Sequence, residues 1–210
     1  MKKIVFLLLL VLPLFCFSQK NKTYIFDSMT VYKYKSYTAD FDGELIVLSN
    51  SKDTTLTFEI RQSKDHKSAE LSDFKNNISY RFEQSFIYES VDDLKKFTST
   101  DAVKTRHYKT KKKQRKLYCE YEKDTLNNQI IVNSYYIKDN IKVKDFLYFF
   151  EKKPNIKNYY NNNKRLFTDK YFIPLSDDDV LVKFYNTHEN KINTQLDFVN
   201  FNKIYAKITL

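Results

Sequence analysis

Three histidines, His66, His107 and His188, are the side chains best suited to metal binding or acid–base chemistry in this 210-residue chain. They are far apart, and none has a cysteine or a second histidine at the short spacing that puts two ligands on one turn. A zinc site would need long-range convergence of these residues. Asp177, Asp178 and Asp179 form an acidic run that suits either a cation or the start of a helix, where the dipole favours carboxylates. The stretch Asp40-Phe41-Asp42-Gly43-Glu44 has the outline of a calcium loop. An EF-hand, however, places a Glu six residues after its glycine and an Asp five before it. Ser49 and Thr38 occupy those positions, so the stretch is expected to be a turn leading into the strand ELIVLS.

Gly43 is the only glycine in the chain. Gly-rich phosphate loops, dinucleotide fingerprints and the G-x-S-x-G nucleophile elbow need several glycines for close backbone approach and positive φ, so all three are excluded. No cofactor is expected. Carboxylate pairs and Ser/His/Asp constellations are set in space, and no local motif singles out residues for either.

The other chemistry-bearing feature is basic. Eight of the thirteen residues from Lys104 to Lys116 are Lys or Arg, and none is acidic. Lys109, Lys111, Lys112, Lys113, Arg115 and Lys116 are the candidate polyanion-binding patch, flanked by Tyr108 and Tyr118. Lysine-rich tips and edges also discourage strand-to-strand aggregation, so the run is expected to form an exposed hairpin tip or edge strand. An anionic envelope component is the expected partner for such a patch. Nucleic acid is disfavoured because the chain is expected to leave the cytoplasm.

That expectation comes from residues 1–18. Lys2 and Lys3 precede an apolar run of 14 residues, Ile4–Phe17. About 20 apolar residues are needed to span a bilayer, so the run reads as a signal peptide and not as an anchor. Small residues at Cys16 and Ser18 suit cleavage before Gln19. Bulky Phe15 argues against lipidation of Cys16. The remaining residues, 19–210, are expected to form a single β-rich domain exported to the periplasm, envelope or exterior, with no transmembrane span. Loss of Lys2 and Lys3 takes the net charge from +10 to +8. Cys119 is then the one cysteine left, expected to be a buried, inert thiol, and no intramolecular disulfide can form.

The elements that must position these residues are mostly strands. Leu56, Phe58 and Ile60 alternate with polar residues, as do Ile78, Tyr80 and Phe82, and Ile204, Ala206, Ile208 and Leu210. Ile130 and Val132 face opposite to Ile131, which suits a strand covered on both sides. Turn signals at 50–53, 124–128 and 138–140 predict hairpins and therefore antiparallel pairing. With so little glycine, turns must use Asn and Asp, which tolerate the left-handed region. Ser90-Val91-Asp92-Asp93 resembles a capping box opening a short helix. Ser176–Asp179 reads as a second helix start, with a strand through Val180, Val182 and Phe184 as the competing reading. Pro154–Phe167 is ambiguous, because three consecutive asparagines disfavour a helix.

The fold class is therefore mainly β (all-β to α+β): an antiparallel, hairpin-rich sheet forming a sandwich or half-open barrel, with two or three short helices. In length and β-rich start the chain is similar to carriers of the periplasmic lipoprotein-transport kind, which set a half-open barrel over a short helix. This is a likeness of architecture alone. The expected function is a non-enzymatic exported binding or envelope module for a lipid, glycan or protein. Alternatives are an exported hydrolase with a site drawn from distant strands, or a small outer-membrane barrel suggested by the alternating C-terminal strand.

Overall fold

The computed structural model describes residues 22–83, 89–97, 102–107, 116–154, 156, 171–188 and 191–210. The expected signal segment and cleavage point lie outside these residues. The strands are β1 (Thr23–Ser36), β2 (Phe41–Ser49), β3 (Leu56–Ser63), β4 (Lys67–Asp73), β5 (Ile78–Glu83), β6 (Ala102–His107), β7 (Tyr118–Asp124), β8 (Gln129–Lys138), β9 (Ile141–Lys152), β10 (Asp179–His188) and β11 (Lys191–Thr209). They form one antiparallel sheet in the order β6-β5-β4-β3-β2-β1-β11-β10-β9-β8-β7. All neighbours are consecutive in the chain except at one seam, where β1 pairs with β11 from Thr23↔Thr209 to Ser36↔Thr194. A sandwich would need two sheets. Here a single sheet remains open, with β6 and β7 as its edges.

The sheet curls around its short helix. A 3-10 helix at Val91–Lys96 packs beside β11. Phe97, which ends it, meets Phe58 of β3 and Phe82 of β5 edge-on, each at 4.9 Å between ring centroids. On a flat sheet β11 and β5 would stand about 24 Å apart at the usual strand spacing. A six-residue 3-10 helix is only about 12 Å long. One helix therefore reaches both strands only because the sheet wraps around it, which gives the half-open form.

The buried face changes from one half of the sheet to the other. In β2–β5 the paired residues Ile46↔Ile60, Leu48↔Phe58, Phe58↔Leu71 and Ala69↔Phe82 lie on the face under the helix. Residues on the opposite face of β3 and β4 are polar, including the Arg61–Glu59 ion pair at 2.7 Å and Glu70, which accepts from Ser79 Oγ at 2.6 Å. In β8–β10 this second face is the buried one. There Val132, Tyr148, Phe150 and Leu181 pack with Ile173 into a separate core. β1 and β2 lie between the two cores and are apolar on both faces: Ile46 belongs to the first core, while Leu45 and Val47 join Tyr32 and Leu196 on the second face. Ile131 and Val132 do point opposite ways, and of the two only Val132 is fully buried.

Turns follow the expected chemistry. Asp40, Asn77, Asn128, Asp139 and Asn140 take positive φ between 46° and 62°. Gly43 does not. It is needed for space, because a Cβ there would collide with the Gln62 carbonyl oxygen of neighbouring β3. The helix expectation needs correction. Among the described residues the 3-10 helix is the one helical element of several residues. Ser176–Asp179 closes a turn into β10, so the strand reading is the one that holds. The buried Asp179 carboxylate accepts the Ser176 backbone N–H at 2.5 Å and the Ser176 hydroxyl at 2.9 Å. That is the same chemistry that would cap a helix, but here it fixes the start of a strand paired on both sides. Of the ambiguous stretch 154–167, only Pro154 and Ile156 are described.

Candidate functional site

The basic run connects the two edges of the sheet. Its first residues, Lys104 to His107, lie in edge strand β6, in line with the expected edge placement. Lys109, Lys111, Lys112, Lys113 and Arg115 lie outside the described residues, as does Tyr108. Lys116 is exposed just before β7, the opposite edge. Its ammonium sits 5.2 Å from the ring centroid of Tyr118, at cation–π distance.

From Tyr118 a cluster builds across three strands. Tyr118 pairs with Tyr135 of β8, and the rings stack at 5.5 Å with 16° between planes. The Tyr135 hydroxyl donates to Glu120 at 2.9 Å. Lys142 of β9 donates to the other Glu120 oxygen at 2.5 Å while lying 3.9 Å from the Tyr135 ring centroid. The Lys142 hydrogen bond, followed by that of Tyr135, holds the Glu120 carboxyl below the usual carboxylate range. The Glu120 hydrogen bond in turn pushes the Tyr135 phenol up.

The cluster belongs to a wider surface. Cross-strand partners share a face, so the pairings Tyr118↔Tyr135, Glu120↔Asn133, Asn133↔Leu147, Ile131↔Phe149 and Leu147↔Tyr185 trace one side of β7–β10. This is the side opposite the second core. Ile131, Leu147, Phe149 and Tyr185 are all half-buried there. Phe149 and Tyr185 meet edge-on at 5.9 Å. Lys183 borders the patch, 5.7 Å from the Tyr185 ring centroid and 3.5 Å from Asp197. Its ammonium is held above the usual lysine range, chiefly by the Tyr185 hydroxyl and then by Asp197. The result is an apolar, aromatic strip edged with paired charges. Such a surface can take up an apolar body with polar ends.

The residues first considered for chemistry sit at separate places in the sheet. His66 is exposed in the β3–β4 turn, its ring 5.9 Å from that of Phe41. His107 ends β6 opposite Ile78, and His188 ends β10 opposite Lys191. Strands β2, β1 and β11 separate the β3–β4 turn from β10. Among the described residues no three His, Cys, Asp or Glu side chains gather as a metal site would require. Cys119 is half-buried against the second core and forms no disulfide. A cleft of about 490 Å³ near Lys22 contains Asp53 and Asp73. Both carboxylates are already engaged, Asp53 by neighbouring Thr55 at 2.6 Å, and Asp73 by neighbouring Asn76 at 2.8 Å and by distant Lys22 at 2.5 Å.

The alternation in β8 places Ile131 on the face opposite Val132. The strip around it depends on registers that bring residues from four strands together. Neither a protein-family model nor a curated protein matches the chain.

Proposed function

We propose that the chain is an exported, non-enzymatic binding module of the cell envelope. It holds an apolar or amphipathic ligand against the strip formed by Ile131, Leu147, Phe149 and Tyr185. The observation that carries this reading is the change of buried face. The second half of the sheet already has its own core on one side, yet it presents half-buried aliphatic and aromatic side chains on the other. A strand that only needed one core would alternate with fully polar residues, as β3 and β4 do on their outer face. The open edges of the sheet support a binding module over a spanning barrel, which has to close.

Binding of a fluorescent fatty-acyl probe to the purified chain tests the reading. Phe149→Ala and Tyr185→Ala should each weaken probe binding by about tenfold, the effect of removing one large apolar contact. Probe binding equal to that of the unaltered chain in both variants would overturn it, as would no probe binding at all.

A further inference from the structure

We draw no further inference here: the strongest candidate, the cleft of about 490 Å³ beside the start of β1, is lined by Lys22 and Lys75 against Asp53 and Asp73, and nothing in the structure selects or shows what occupies it.

Discussion

Val47 and Glu59 are cross-strand partners on one face of the sheet, yet they should respond very differently to truncation. Val47 is fully buried, whereas the Glu59 side chain is 22 % exposed and ion-paired to Arg61. If the second face is covered at β2 and solvated at β3, Val47→Ala loses two buried methyl groups, about 1.6 kcal/mol in transfer free energy. The space they leave, of order 50 Å³, adds about 1 kcal/mol where the neighbours cannot collapse. The expected cost is therefore about 2–3 kcal/mol. Ile46→Ala, on the opposite face of the same strand, should cost about 2–5 kcal/mol because it opens the first core. Glu59→Ala should stay within about 0.5 kcal/mol, since a partly exposed ion pair contributes little. The assay is equilibrium urea unfolding, followed by far-ultraviolet circular dichroism and by tyrosine fluorescence. The chain has 17 tyrosines and no tryptophan, so tyrosine supplies the emission. Midpoints should move while slopes stay constant. A Val47→Ala cost as small as that of Glu59→Ala would refute the two-faced reading of β2, and with it the change of buried face.

Two further outcomes follow from single residues. Gly43→Ala should destabilise the fold by about 1–3 kcal/mol in the same urea assay, because the new Cβ meets the backbone carbonyl of Gln62, which cannot swing aside as a side chain could; an unchanged midpoint would show that β2 and β3 are farther apart. Asp73 gives a pH signature. Burial alone would raise its carboxyl, but the Lys22 and Asn76 hydrogen bonds outweigh that and hold it below the usual aspartate range. A depressed pKa contributes stability above the ordinary value, and that contribution is lost as pH falls through the folded value. Asp73→Asn should thus cost about 1.5–3 kcal/mol at neutral pH. The gap to the unaltered chain should close on acidification below the ordinary aspartate pKa. A gap of constant size down to pH 2 would assign the loss to packing instead.

Much of the fold is written in individual strands. Phe58 and Phe82 alternate with polar or charged neighbours because each strand has one wet side, and that pattern needs no knowledge of the partner. The hairpins were likewise legible, since Asn128, Asp139 and Asn140 take the left-handed conformations that side-chain amides and carboxylates tolerate. Ser176–Asp179 was ambiguous for a physical reason: a carboxylate that accepts its own upstream backbone N–H caps a helix or closes a turn equally well. The change of buried face could not be read from any one segment. It appears only when β1 and β11, far apart in the chain, are set side by side. The candidate surface is divided in the same way. The basic run announced an edge, and its first residues are on one. The Tyr135–Glu120–Lys142 cluster, by contrast, joins residues 15 and 22 positions apart through a register that shifts between Ser134 and Tyr135.

The β1–β11 seam also bears on how the sheet assembles. Around the sheet the strands run 7-8-9-10-11-1-2-3-4-5-6, a simple up-and-down series whose chain order has been rotated. Lys22 and Leu210 exchange backbone hydrogen bonds of 2.7 and 2.9 Å, so the two ends of the sheet's chain already touch. Every other pairing joins strands consecutive in the chain, most of them through short turns, with residues 84–101 between β5 and β6 and 153–178 between β9 and β10. The seam must bring together residues as far apart as Thr23 and Thr209, 186 positions, and such contacts slow folding more than they weaken the product. Two runs of consecutive strands, β2–β6 and β7–β10, can thus form independently. They become one sheet only when the last strand is laid against the first. A chain rejoined from Leu210 to Lys22 through a short added turn and opened within residues 108–115 would keep every pairing, turn the seam into a local connection, and shorten the slow step.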